Sequence, residues 1–359
     1  MHDVAIIGGG PAGSAAAIAL SRSGHSVALI ERTRYGAPRI GETLPPDSRP
    51  LLDRLGVTKQ FHAEHHVPAP GVISAWGDDT PYVNDFIVNP YGDGWHLDRT
   101  RFDRMMAMHA RDCGARVHEQ TRVGACSETA GHWQLRMSSG VDATTLQCRF
   151  LIDASGRRDS ALKRRAGAPL VYDRLVGITA FIPARANINR YTLIESVPDG
   201  WWYSALLPDD RCVVTFMTDA DLARTGRKDL AAFLLNHLQS AKLTASRIDA
   251  PRTDIEVSIA PAMSYRHERS HGDNWLLAGD AAATRDPLSG QGVCKALESG
   301  LAAAAAIDGA LEGDRNPLSH YSSKLKSAHD RYLRTRTDFY RAERRWPDSP
   351  FWQRRQRSN

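Results

Sequence analysis

Residues 4–31 place an apolar run, a glycine turn, a helix former and an acid in an order that few folds accommodate. Val4-Ala5-Ile6-Ile7 is a short apolar run of the kind buried on both faces of a parallel sheet. Gly8-Gly9-Gly10-Pro11-Ala12-Gly13 follows at once, and Ala15-Ala16-Ala17-Ile18-Ala19-Leu20 is a strong helix former. Gly8 permits the tight turn, Gly10 lets backbone approach a pyrophosphate, and Gly13 lets helix and strand pack closely. A pyrophosphate there would rest on the open N–H groups of the helix N-terminus. Ser26-Val27-Ala28-Leu29-Ile30 predicts the second strand. Glu31 closes it where a carboxylate accepts both hydroxyls of an adenosine ribose and disfavours a 2′-phosphate.

Composition bounds the rest. A length of 359 residues suits roughly two domains, and 42% hydrophobic content suffices for a sizeable core. No apolar run approaches the roughly 18 residues of a membrane span. The first strand starts almost at Met1, so no secretory leader is expected. Cys113, Cys126, Cys148, Cys212 and Cys294 are scattered and form no C-x-x-C pair. That argues against a disulfide framework or a zinc site and for a reducing, cytoplasmic setting. His62, His65 and His66 cluster without metal-ligand spacing and read as a loop, so no metal is expected. The net charge of +5 is uneven: nine arginines lie between Arg331 and Arg357, among Trp346, Phe351 and Trp352. The aromatics favour a terminal helix packed on the body with a solvated basic face over a nucleic-acid-binding tail. Neither nucleic acid nor membrane is an expected partner.

Two kinds of segment alternate. Residues 1–70, 98–175 and 259–312 read as a nucleotide-binding domain, 71–97 and 176–258 as a second domain, and 313–359 as a helical Arg-rich segment. Val72 to Trp76 and Tyr82 to Val88 form a predicted hairpin around Gly77-Asp78-Asp79. Arg99 to Cys113 predicts a helix, as do residues 228–239 and the alanine-rich 291–311. Phe150-Leu151-Ile152-Asp153 is a buried strand entering a tight turn at Ala154-Ser155-Gly156. The result is two domains interleaved by insertion.

Three separated motifs carry a family resemblance: Gly8 to Gly13 with Glu31, Gly41-Glu42-Thr43-Leu44-Pro45-Pro46, and Gly279-Asp280 running on through Pro287 to Gly290-Gln291-Gly292. Along nearly its whole length the chain resembles the flavoprotein monooxygenases of the para-hydroxybenzoate hydroxylase fold. That resemblance implies an α/β fold, with a Rossmann-like FAD-binding domain interleaved with an α+β substrate domain built on an antiparallel sheet. It implies FAD as cofactor, and NAD(P)H as a transient electron donor. Arg99 matches an arginine on the flavin side of the pyrophosphate. Asp153 and Ala154 match an Asp-Gly element associated with FAD and NAD(P)H contacts, here with alanine in place of glycine. Asp280 matches the aspartate on the ribityl chain. The implied contact set is Gly8, Gly10, Pro11, Ala12, Gly13, Glu31, Arg32, Ile40, Gly41, Glu42, Thr43, Arg99, Val123, Asp153, Ala154, Gly279, Asp280, Pro287, Gly290, Gln291, Gly292 and Val293.

The Gly41 to Pro46 motif resembles a loop shared by flavin-dependent tryptophan halogenases, geranylgeranyl reductases and halogenase-like maturation flavoproteins. The last group modifies a protein-bound tryptophan during tryptophylquinone cofactor biogenesis, and Asp199 to Pro208 and Tyr340 to Trp352 resemble it further. Halogenases place a lysine ahead of a short Gly-Val strand; here Ala69-Pro70 precede Gly71-Val72. The halogenase Trp-x-Trp-x-Ile-Pro motif is also absent at Trp201-Trp202-Tyr203. The expectation is an FAD-dependent monooxygenase that uses O₂ to hydroxylate an aromatic, indole-like substrate, with a protein-bound tryptophan in a partner as the preferred case. A small-molecule hydroxylase, a halogenase and a non-catalytic flavin-bound maturation partner stay open as alternatives. Glu195, Trp202 and Tyr203 are candidate catalytic residues, although each also has an ordinary reading as core or surface.

Overall fold

The apolar run at the N-terminus becomes strand His2–Ile7, in which Val4, Ala5 and Ile6 have no exposed surface. The computed structural model describes residues 1–359 apart from 79, 227, 250–254 and 357–359, so Asp79 of the predicted turn and Arg357 of the basic tail lie outside the described residues. His2–Ile7 pairs in parallel with Val27–Ile30 on one side and Asp142–Asp153 on the other. The sheet runs Arg116–His118, Val27–Ile30, His2–Ile7, Asp142–Asp153, His132–Ser139, Arg122–Thr129, and Trp275–Leu277 pairs in parallel with Asp142–Asp153. Its Rossmann-like half is therefore parallel, and its far edge is an antiparallel meander.

Helices Pro11–Arg22, Arg99–Asp112 and Gly292–Leu311 form one core with this sheet. Small residues set their spacing: a Cβ added to Gly300 would lie 2.2 Å from the carbonyl oxygen of Ala12. The helix Arg99–Asp112 begins where the Asp98 carboxylate accepts from the amides of Thr100 and Arg101.

The second sheet runs Val257–Pro261, Leu175–Pro183, Arg211–Asp219, Gly200–Leu206, Thr192–Val197, Gly71–Ala75, Tyr82–Asp85. It is antiparallel except where Thr192–Val197 meets Gly71–Ala75 in parallel. The hairpin thus joins this sheet, whereas Gly94–His96 pairs with Thr43–Leu44 and Val67–Ala69. Because side chains alternate across a strand, the sheet has two distinct faces. Ile178, Trp202, Val214 and Phe216 pack in one cluster with Leu234 and Leu238 of the helix Leu230–Leu238. Trp201 and Met217 face the other way, towards Tyr340, Phe351 and Trp352.

Those three aromatics belong to the helices Asn316–Ala342 and Pro350–Gln356, which close the chain. The indole of Trp352 donates to the carbonyl of Val197 at 2.9 Å, and that of Trp201 to the Tyr340 hydroxyl at 3.0 Å. The basic face is not simply solvated, which corrects the sequence-based expectation. Arg336 pairs with Asp173 and Asp286, and Arg355 with Asp219, all with largely buried side chains. The planar guanidinium fork matches these carboxylates and carries its charge into the interface. Among the described residues no helix is long and apolar enough to cross a membrane. Trp352→Ala empties a fully buried site and removes the indole's bond to the Val197 carbonyl, so urea unfolding should show a loss of about 3–5 kcal/mol.

Candidate functional site

A cavity of about 1070 Å³ is bordered by both sheets and by the helix Gly292–Leu311. It slightly exceeds the roughly 300–1,000 Å³ of ordinary small-molecule sites. Gly8, Gly10, Pro11 and Ala12 form part of its wall. Each glycine of the first motif has a separate task. Gly8 has φ +104°, and a Cβ there would lie 2.4 Å from the Ala154 carbonyl oxygen. Gly13 stands behind the wall, where a Cβ would come within 1.9 Å of the Gly8 carbonyl oxygen. Around Gly10 nothing lies within 4 Å of an added Cβ, so this is the open cradle. No side chain caps the helix Pro11–Arg22, which leaves its first amides for a ligand. The Glu31 carboxylate is held by the Gly9 amide at 2.9 Å, by the amide and hydroxyl of Thr33 and by Arg39.

A second uncapped N-terminus borders the same cavity, at Gly290, Gln291, Gly292 and Val293. Gly290 has φ +60°, and Gly292 has open space around an added Cβ. Arg32, Ile40, Gly41, Glu42, Thr43, Arg99, Ala154, Gly279, Asp280 and Pro287 complete the part of the wall expected from sequence. Arg99 donates to the carbonyls of Ile40 and Gly41 at 3.0 Å and pairs with Asp103, so it braces the Gly41 turn. Arg157, which sequence patterns do not single out as a site residue, binds Asp280 through Nε at 3.1 Å. Its one signal is adjacency to the Asp153 turn. Two helix N-termini, an open glycine cradle and a fixed carboxylate just past the second strand fit an elongated dinucleotide such as FAD.

Four expected site residues stand elsewhere. Glu195 is buried, and its carboxylate accepts from the amides of Leu243 and Thr244 and from the Thr244 hydroxyl. It caps a short helix and is not part of the cavity wall. Trp202 stacks on Phe216, on the helix-covered face of the second sheet. The Asp153 carboxylate is occupied by the Ser155 amide and the Ser160 hydroxyl, and Val123 packs against the core behind the first sheet. For Glu195 and Trp202 the cause is shared: the pattern gives the strand, but tertiary packing decides which way the side chain faces, whereas Asp153 and Val123 were expected from the resemblance alone.

Tyr203 does border the cavity, beside Gly177, Thr215 and Met217. Its hydroxyl shares a 2.8 Å hydrogen bond with that of Thr43, and burial pushes the phenol well above its usual range. Glu42 is 3% exposed, and its Oε1 has no protein partner. Burial pushes its carboxyl up to about 7 against the opposing pull of its own backbone amide and of Arg99.

The family model for an FAD binding domain matches residues 1–335. A Marinomonas mediterranea protein, LodB, whose name assigns it provisionally to the FAD-dependent oxidoreductases, is 29% identical over 99% of this chain and 96% of its own. The flavin-dependent halogenase CmlS superposes with a TM-score of 0.91 at 29% identity, over all of this chain and 68% of that one. QhpG, described as a peptidyl tryptophan dihydroxylase essential for tryptophylquinone cofactor biogenesis, superposes with a TM-score of 0.80 at 26% identity, over 99% of this chain and 78% of its own.

Gly10→Asp should leave the fold intact, because the site has room and an aspartate caps a helix, yet the protein should purify without flavin absorbance. Gly13→Asp should instead fail to fold, since its Cβ collides with the Gly8 backbone. Glu42 holds its proton more tightly folded than unfolded, so in the flavin-free protein its stabilising effect is full below about pH 4.5 and lost as pH rises through about 7. Glu42→Gln should flatten that dependence by on the order of 3 kcal/mol, measured by urea unfolding at pH 5 and pH 8.

Proposed function

The chain belongs to the FAD binding domain family as a halogenase-like FAD-dependent oxidoreductase, and from that premise we propose that it inserts oxygen into an aromatic ring, its substrate being a tryptophan side chain held in a partner protein. The observation that carries this reading is the junction Ala69-Pro70, where the resemblance puts the halogenase lysine. Ala69 is buried, and the carbonyl of Pro70 accepts from the Phe86 amide, so this junction is packed backbone with no amine to capture an oxidised halide. The lysines that border the cavity are Lys295, on the helix Gly292–Leu311 and paired with Glu298 at 2.7 Å, and Lys324, on the helix Asn316–Ala342. Overall likeness alone leans towards the halogenase, which superposes more closely than QhpG. The missing lysine at this junction is what supports oxygen insertion instead.

FAD, when bound and reduced, supplies the two electrons with which O₂ is divided between the ring carbon and water. NAD(P)H is the proposed source of those electrons. The chain's own contribution is placement. The Gly8–Ala12 turn and Glu31 would hold the adenosine end, and Arg157 with Asp280 would flank the middle. The amides at Gly290 to Val293 offer positive dipoles to charge on the ring's carbonyl edge. Tyr203, neutral and tied to Thr43, forms part of the substrate wall, and Glu42 keeps a proton available near neutral pH. The sheet face around Gly177, Thr215 and Met217 excludes water from the reacting ring.

Mixing the reduced protein with O₂, bromide and a tryptophan-containing peptide should yield peptide heavier by one or two oxygen atoms, with no bromine, by mass spectrometry. A brominated product would reinstate the halogenase. Oxidation of free indoles or phenols alone would favour a small-molecule hydroxylase, and flavin reoxidation without any product would favour the non-catalytic partner.

A further inference from the structure

The second sheet ends at Val257–Pro261, and among the described residues no strand pairs with the outer side of that strand. Five consecutive residues, Ser258 to Ala262, border the cavity. A strand that showed the cavity only one face would contribute alternate residues, so here the backbone edge itself borders the cavity.

The register fixes which groups that edge presents. The amide of Ala262 donates to the carbonyl of Leu175, across the antiparallel pairing with Leu175–Pro183. Pairs alternate in such a ladder, so Ala260 and Ser258 bond inward to Gly177 and Thr179, whereas Val257, Ile259 and Pro261 turn outward. Pro261 has no N–H to give and loses nothing there. The outer edge therefore offers the N–H and C=O of Val257 and Ile259. No lysine, internal proline or bulge interrupts residues 257–260, the usual devices that protect an edge.

Two cross-strand rows lead from this edge into the cavity. One runs Ser258, Thr179, Thr215, Tyr203; the other runs Ala260, Gly177, Met217. Residues in register share a face, and near the edge these rows are made of small side chains. A Cβ at Gly177 would already touch Met217 and Thr215 at 3.1 Å, so the glycine keeps this channel clear.

We propose that Val257–Pro261 is the docking edge for an extended segment of the substrate polypeptide, which adds to the sheet as a further strand and turns its target side chain into the cavity. This rests on the reading of the chain as an oxygenase of protein-held tryptophan. A neighbour of the target residue pairs with Ile259 and exchanges both ladder bonds. The target then stands against Ser258 or Ala260 and points along the small-residue rows. The ladder groups suit an extended peptide, which answers both N–H and C=O in register, whereas a free indole brings a single N–H and no acceptor.

The flavin-loaded full chain can be titrated calorimetrically with a short peptide of alternating threonine and valine around one tryptophan, with the same peptide N-methylated at its valine amides, and with N-acetyltryptophan amide. The unmodified peptide should bind about tenfold more tightly than either of the others. Ile259→Pro should keep flavin and thermal midpoint, because its N–H faces away from Leu175–Pro183, and should bind the unmodified peptide about tenfold more weakly. Ile259→Thr, which keeps the N–H, should bind as the parent does. Equal binding of the methylated and unmodified peptides overturns the proposal, and because that comparison uses the parent protein it holds even if Ile259→Pro does not fold. Edge-dependent binding of a peptide that is never oxidised keeps the docking edge and rejects the oxygenase reading. Oxidation with methylation-insensitive binding does the reverse.

Discussion

Everything at the cofactor end depends on one contact, the approach of the first helix to the first strand at Gly13 and Gly8. A single added carbon at Gly13 would sit 1.9 Å from the Gly8 carbonyl oxygen. The same helix meets Gly292–Leu311 through Gly300, where an added carbon would sit 2.2 Å from the Ala12 carbonyl oxygen. Three segments are thus locked together by the absence of side chains. That closeness brings two uncapped helix N-termini to one cavity and so makes the site electrostatically suited to a diphosphate and to an electron-rich ring edge.

The substrate side obeys a different constraint, the two-residue period of a strand. At Trp201-Trp202-Tyr203, consecutive aromatics serve opposite faces. Trp201 joins the closing helices, Trp202 goes under the helix Leu230–Leu238, and Tyr203 meets Thr43 at the cavity. The C-terminal segment then has a structural task. Tyr340, Phe351 and Trp352 cover the Trp201 face, while Asp286, beside the Pro287 turn of the cofactor wall, is held by Arg336 and the Tyr340 hydroxyl. Packing of the tail and shape of the cofactor site are linked through that one buried carboxylate.

The cofactor half was legible in sequence because its requirements are imposed on backbone. Only glycine satisfies the close approaches at Gly8 and Gly13, and an acid at Glu31 leaves few other readings. The second half was less legible because alternation reveals that a strand is half-buried without revealing which half meets the ligand. Glu195 and Trp202 are paired neighbours on adjacent strands, and both turned out to serve the helical side. Arg157, Gly177, Thr215 and Met217 carry no sequence signal of their own; the topology assembles them. The basic tail illustrates the same limit, since its arginines found carboxylates from distant segments of the chain.

Isotopic labelling reads directly whether an oxygen atom from O₂ enters an aromatic side chain. With the reduced protein, a tryptophan-bearing peptide and heavy-isotope O₂ in ordinary water, the product should carry the heavy label on the indole ring. A product whose added oxygen comes from water, or a ring modified without oxygen, would contradict it.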